Sequence, residues 1–209
     1  MFDPLLRPAK DRLLGPVAAG IAGWAHPNAI SAVGFAIGCG CAALCATGRP
    51  ELRGPALLLW GLSRVVDGLD GAVARRRGEV SDLGGYLDIM VDFAVYALVP
   101  MGLAFGASLG GDAAVWIWLA ALLASFYVNA ASWMYLAAIL EKRGHALTAG
   151  GGPATSIVMP TGIVEGTETI VLYALYIALP AALVPLFALT TVLVLATTVQ
   201  RVIWAVRKL

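Results

Sequence analysis

Hydrophobic positions run along this chain in long blocks, broken at few places by polar residues. Six stretches, approximately 29–47, 55–74, 84–107, 113–139, 157–179 and 181–203, are each near the ~20 helical residues needed to cross a hydrocarbon core. Pro55, Gly84, Pro153 and Pro180 punctuate the connections between them. The pattern predicts six transmembrane helices and no separate soluble domain. The segment before them is different. Residues 3–24 place Leu5, Leu6, Leu13, Leu14, Val17, Ile21 and Trp24 near one helical face, with Arg7, Lys10, Asp11 and Arg12 elsewhere. That arrangement predicts an amphipathic helix lying in the membrane interface, its basic residues among headgroups. The expected fold is therefore all-α: an integral membrane six-helix bundle (29–209) preceded by an amphipathic juxtamembrane segment (1–28).

Composition agrees with a bilayer as solvent. Of 209 residues, 60% are hydrophobic and only 13% charged, where a soluble domain carries about a quarter charged residues. The formal net charge of +1 gives no reason to expect a nucleic-acid partner. Cys39, Cys41 and Cys45 lack zinc-site spacing and read as small packing residues. The basic residues set an orientation. Arg7, Lys10, Arg12, Arg75, Arg76, Arg77, Lys142, Arg143, Arg201, Arg207 and Lys208 fall on one side; only Arg49 and Arg53 fall on the other. By the positive-inside bias, both termini are expected to be cytoplasmic, in the cell (inner) membrane.

The acids are the anomaly. Asp67, Asp70, Gly71 and Ala74 share a face of the second predicted helix, and Gly84, Asp88 and Asp92 share a face of the third. A turn around Gly78 to Ser81 makes the two helices an antiparallel pair, so the acidic faces meet near the cytoplasmic boundary. One acid in the middle of a membrane helix costs about 2.5–3.5 kcal/mol. Arg64 and Arg75 are available to pair with two of them in a buried ion-pair network. Clustered carboxylates also suit two bridged divalent cations, Mg²⁺ or Mn²⁺, with coordination left for a phosphate. The small residues beside them, Gly68, Gly71, Ala72, Ala74, Gly84 and Gly85, leave room for a ligand to approach backbone.

Asp67 to Asp92 reads D-x₂-D-G-x₂-A-R-x₈-G-x₃-D-x₃-D at every fixed position. This resembles the signature of the CDP-alcohol phosphotransferases, integral membrane enzymes of phospholipid synthesis. The His26–Asn28 stretch, HPN, resembles the family's lead-in to its first span. The resemblance implies transfer of a substituted phosphate from a CDP-linked donor to a polar alcohol with release of CMP. It further implies Asp67, Asp70, Asp88 and Asp92 as metal-binding residues for two divalent cations, with Asp92 the general base. Gly71, Ala74 and Gly84 would make room for the cytidine and ribose, and Arg75 would meet phosphate or hold an acid. CDP-diacylglycerol is the expected donor; the alternative is a CDP-amino-alcohol acting on diacylglycerol. The family also implies a homodimer.

Two further features bear on the acceptor. Lys142 and Arg143, with His145, open a loop, EKRGHALTAGGGPATS, and are candidates for a phosphate on the acceptor or for topological anchoring. Glu165 and Glu168, in GIVEGTETI, sit three apart in the predicted fifth span, where they would bond a polyol, attract an amine headgroup or pair with Arg64 or Arg201. A cation transporter is the rival from another class. The placement of all the acids toward one side argues against it. Prenyltransferases with Asp-rich membrane helices carry two separated motifs, and this chain has one.

Overall fold

The computed structural model describes residues 12, 14–111, 113–143 and 162–209. Among these the chain is helical, with no strand. Residues 14–21 form α1. It is followed by α2 (Pro27–Ala46), α3 (Arg53–Arg77), α4 (Asp82–Ser108), α5 (Ala114–Lys142), α6 (Gly166–Ala178) and α7 (Leu183–Lys208). The loop sequence 144–161, with His145, lies outside the described residues, as does most of the segment before α1.

Local chemistry sets the helix ends. Pro27 occupies the first turn of α2, and the His26 ring accepts the Asn28 N–H at 3.3 Å. Gly78, at φ 67°, ends α3 in the left-handed conformation, and Glu79 N–H returns to Ala74 O at 3.0 Å. Ser81 then caps α4 by accepting Gly84 N–H at 3.1 Å. The turn expected between the two acid-bearing helices is thus built from a glycine stop and a serine start three residues apart.

Helix α2 packs chiefly against α3 and α4, and α5 against α7. The α2–α4 contact is closest where Gly102 and Gly106 face the backbone at Ala42 and Cys45, with no room for a Cβ. Gly34 and Gly38 face Val66, Ser63 and Val95 of the same chain, so this small-residue pair serves packing within the subunit. Helix α6 lies against α3 and α4. An aromatic column joins the two groups: Trp60 stacks on Tyr173 at 5.2 Å, Tyr173 meets Tyr176 at 5.1 Å, and Tyr176 meets Phe187 at 4.9 Å. Its polar tips are all bonded, Trp60 Nε1 to Ile170 O (3.0 Å), Tyr173 OH to Tyr96 O (2.6 Å) and Tyr176 OH to Thr190 Oγ1 (2.5 Å). Cys41 and Cys45 are buried packing residues, and all three cysteines are free thiols.

Large apolar side chains cover the outside, among them Leu58, Ile117, Val192 and Val206. A soluble protein with such a surface would associate; a bilayer accommodates it. Four helices among the described residues are long and apolar enough to cross a membrane: Pro27–Ala46, Asp82–Ser108, Ala114–Lys142 and Pro180–Lys208. This is a membrane protein, yet the count differs from the six expected. Helix α3 has ample length at 25 residues, but Arg64, Asp67, Asp70 and Arg75–Arg77 remove its apolarity. Helix α6 has 13 residues, about 20 Å at the helical rise. The expected start of the fifth span at 157 falls outside the described residues, and 162–165 are not helical.

Candidate active site

Helices α3 and α4 run antiparallel, and the pairs Trp60–Tyr96 and Arg64–Asp92 mark their register. Continuing that register toward the turn brings the four aspartates together. Asp67 interacts electrostatically with Asp92, Arg64, Asp88 and Asp70, and Asp88 with Asp70 and Asp92. The cluster is only partly enclosed: the Asp67 and Asp92 side chains keep 25% and 29% of their surface.

Asp92 and Asp70 have different bonding partners. Asp92 Oδ1 accepts from Arg64 Nη1 at 2.5 Å, and the same nitrogen lies 3.8 Å from Asp67 Oδ2. Asp70 turns the other way: its Oδ2 accepts the Ser31 hydroxyl from α2, and its Oδ1 accepts Gly71 N–H at 2.5 Å. The fallback expected of Arg64, pairing with acids of the motif, is therefore present, but it engages only one side of the cluster.

The remaining motif residues gather at the same place. A Cβ on Gly71 would sit 3.3 Å from Arg75 Nη1, so the Arg75 guanidinium folds back over the glycine. A Cβ on Gly84 would come within 3.8 Å of Asn28 Oδ1. The HPN stretch and the first turn of α2 therefore form the third wall of the site. In the connecting turn, Arg77 donates to both oxygens of Glu79 at 2.8 Å and to Ala22 O at 2.8 Å, tying the turn to α1. That bond holds the Glu79 carboxyl below the usual glutamate range.

The acceptor candidates stand elsewhere in the bundle. Glu165 is the N-cap of α6 and Glu168 its N3 residue, and the two form a reciprocal capping box. Glu165 Oε1 also accepts Gly162 N–H at 2.9 Å. Their expected place within the fifth span is thus corrected: they fasten the start of a helix that begins at Gly166. Lys142 is the last residue of α5, and Arg143 Nη1 donates to Leu209 O at 3.0 Å.

Ser31 and Arg201 were not singled out from the sequence as site residues. Ser31 is four residues beyond Pro27, and nothing in the aspartate spacing points to it. Arg201 is buried on α7, donates to Asn129 Oδ1 at 2.7 Å and, among the described residues, leaves Nε without a hydrogen-bond partner. In sequence it reads as one more anchor or as a partner for Glu165 and Glu168, and in the structure it interacts electrostatically with Glu165.

The donor set suits hard divalent cations, because four carboxylates outnumber the two guanidinium groups beside them, Arg64 and Arg75. The side chains do not form a closed shell: among the described residues no group of three or more His, Cys, Asp or Glu is arranged to hold an ion. The reason is visible in the bonds above, which commit oxygens of Asp70 and Asp92 to protein donors.

The sequence profile of the CDP-alcohol phosphatidyltransferases matches residues 24–205. The chain belongs to this family. Its relatives include the inner membrane protein YnjF of Escherichia coli, 38% identical over 159 residues, covering 74% of this chain and 70% of that one. The archaetidylinositol phosphate synthase of Pyrococcus horikoshii is 28% identical over 185 residues, 88% of this chain and 85% of the relative. The same-named enzyme of Methanothermobacter thermautotrophicus is 36% identical over 104 residues, half of each chain (50% and 51%). The crystal structure of Mycobacterium tuberculosis phosphatidylinositol phosphate synthase in its apo form superposes with a TM-score of 0.67, covering 90% of this chain and 93% of that one, at 22% identity. The shared fold is that of the family. As a CDP-alcohol phosphatidyltransferase, the chain is a transferase of phospholipid biosynthesis, and the cation transporter alternative lapses.

Proposed function

We propose that this chain moves a phosphatidyl group from CDP-diacylglycerol to a phosphorylated polyol of the inositol phosphate type, releasing CMP. The gathering of Asp67, Asp70, Asp88 and Asp92 where α3 and α4 face each other carries the proposal. The acceptor reading draws support from the two archaetidylinositol phosphate synthases among the relatives. It also draws on the buried Arg201, whose cationic side chain suits an anionic acceptor, with Lys142 and Arg143 as further candidates at the chain ends of α5. Glu165 and Glu168, occupied with capping, give less support to an amine headgroup and so to the CDP-amino-alcohol arrangement.

In this reading Asp67, Asp70, Asp88 and Asp92 hold two divalent cations, Mg²⁺ or Mn²⁺. Bound there, the ions would screen the pyrophosphate and stabilise the departing CMP. Asp92 takes the proton of the acceptor hydroxyl as its oxygen bonds to the lipid-linked phosphorus. The bond from that phosphorus to the CMP oxygen breaks, and CMP keeps the electron pair. Gly71, Ala74 and Gly84 leave space for cytidine and ribose, and Arg75 contacts phosphate. The finer architecture is six spans counting α3 and α6, residues 1–28 lying at the interface ahead of the 29–209 domain, termini and site facing the cytoplasm, and a homodimer.

The test is CMP release by the purified protein with CDP-diacylglycerol and Mn²⁺ or Mg²⁺, against inositol phosphate, glycerol phosphate, serine, choline and ethanolamine. Turnover with inositol phosphate is expected. Turnover confined to serine would overturn the acceptor, and turnover only of CDP-choline or CDP-ethanolamine with diacylglycerol would overturn the donor.

A further inference from the structure

Arg64 is a costly residue for its position. The residue is buried inside the bundle, 9% exposed, with its guanidinium packed against the adjacent rings of Trp60, at 5.1 Å, and Tyr96, at 5.2 Å. Nη2 donates to Ser63 Oγ at 3.0 Å, and Ser63 Oγ in turn donates to Gly34 O of α2 at 3.2 Å. Among the described residues Nε has no hydrogen-bond partner. Burying a cation with an unsatisfied donor costs stability, and an apolar side chain would pack against the two rings more cheaply. What the guanidinium gains is placement. Three helices fix it: α3 carries it, α4 supplies Tyr96, and α2 anchors Ser63. A planar cation packed against two adjacent rings and bonded to Ser63 has little freedom to follow a moving partner.

The partner it fixes is Asp92. Nη1 meets Oδ1 at 2.5 Å, while the Asp92 side chain retains 29% of its surface. The carboxylate is therefore held through one oxygen and still accessible. The same nitrogen stands 3.8 Å from Asp67, on the other helix of the pair. We infer that Arg64 is a positioning residue, which commits one oxygen of Asp92 and so limits this acid to a single oxygen toward a cation or the acceptor hydroxyl. Without it Asp92 is free to swing into the acid cluster as a two-oxygen ligand and is lost to proton transfer. The inference rests on the base role proposed above for Asp92, and it adds a fixed monovalent charge to the divalent ones of that site.

The sign of the effect on metal binding separates this role from simple scaffolding. Replacing Arg64 by a neutral residue removes a positive charge from among the carboxylates and releases a ligand oxygen. Both changes favour a divalent cation. A scaffold residue, when lost, would loosen the cluster and weaken binding.

The experiment uses the full chain in detergent micelles, with Arg64→Gln and Arg64→Lys. Mn²⁺ affinity is measured by calorimetry, and kcat and donor KM are measured by CMP release. Arg64→Gln is expected to bind Mn²⁺ about tenfold more tightly. Its kcat should fall by roughly 100-fold with donor KM little changed, as for a misplaced catalytic group. Arg64→Lys keeps the charge but not the planar fork, so wild-type Mn²⁺ affinity with a kcat lowered about tenfold is expected. Unchanged or weaker Mn²⁺ binding by Arg64→Gln, or a wild-type kcat in either variant, overturns the assignment. If Arg64→Gln does not fold, Arg64→Lys decides alone by its kcat. A wild-type protein that releases no CMP with any acceptor sinks the proposed function, and the Mn²⁺ comparison still reads the hold of Arg64 on the carboxylates.

Discussion

Asp92 and Asp70 have the same side chain on facing helices, and their bonds differ. Asp92 is held by a guanidinium and stays accessible; Asp70 is held by the Ser31 hydroxyl and a backbone N–H. Asp92→Asn keeps size and bonding capacity but cannot accept the acceptor's proton. We expect it to retain CDP-diacylglycerol binding, read by calorimetry, while CMP release falls by at least about 100-fold. Near-wild-type turnover would mean that another group is the base. Ser31→Ala tests the opposite side of the cluster. A bond that orients a metal-ligating carboxylate contributes roughly 10–100-fold to affinity or activity. Ser31→Ala also frees an oxygen but removes no charge, so the lost orientation decides: Mn²⁺ binding should weaken by about tenfold, in contrast to the tightening expected where a cation is removed at Arg64. At this scale the four aspartates were legible in advance, because spacings of three and four fix which residues share a helix face. Ser31 and the ring pair around Arg64 were not, because their roles are contacts between helices, and no spacing within one helix encodes them.

Helix α6 shows why an element's boundary changes the meaning of its residues. Read as part of one apolar block, Glu165 and Glu168 were buried acids in need of a partner. With residues 162–165 outside the helix, the same three-residue spacing is that of an N-cap and N3 pair, and the acids bond backbone N–H groups. The signal was in the sequence as E-x-x-E beside Gly162 and Gly166, but hydropathy concealed the break. Two substitutions separate capping from ligand contact. Glu165→Ala removes the cap and should cost about 1 kcal/mol of stability, seen as a lower thermal midpoint. Glu168→Gln preserves the box, because glutamine serves at N3 as well as glutamate, and should leave both the midpoint and the acceptor KM near wild type. A several-fold rise in acceptor KM for Glu168→Gln, with the midpoint unmoved, would return this acid to the list of acceptor ligands.

At the scale of the whole molecule, charge is segregated along the bundle. Contacts between α6 and α7, and between α5 and α7, show α5 and α7 running the same way: Val164 bonds Thr197, Tyr176 bonds Thr190, Asn129 bonds Arg201, and Arg143 bonds Leu209. Helix α3 shares that direction: it runs antiparallel to α4, and α4, which ends at Ser108, is joined by a short turn to α5, which starts at Ala114 and packs against it. The C-terminal ends of α3, α5 and α7 therefore gather Arg75, Arg76, Arg77, Lys142, Arg143, Arg207 and Lys208 at the end that holds the aspartates. Arg49 and Arg53 stand at the opposite end. The positive-inside bias then predicts that the acidic site opens to the cytoplasm, where CDP-linked lipids and phosphorylated polyols would meet it. Two exposed positions report this directly, Glu51 beside α3's start and Val80 in the turn after its end. With Cys39, Cys41 and Cys45 replaced by alanine, single cysteines at Glu51 and Val80 can be labelled with a membrane-impermeant maleimide. Glu51→Cys should react in right-side-out vesicles and Val80→Cys only in inverted ones. The reverse pattern would put the site on the outer face, away from any cytoplasmic pool of acceptor, and labelling of both from one side would mean that α3 does not cross the membrane.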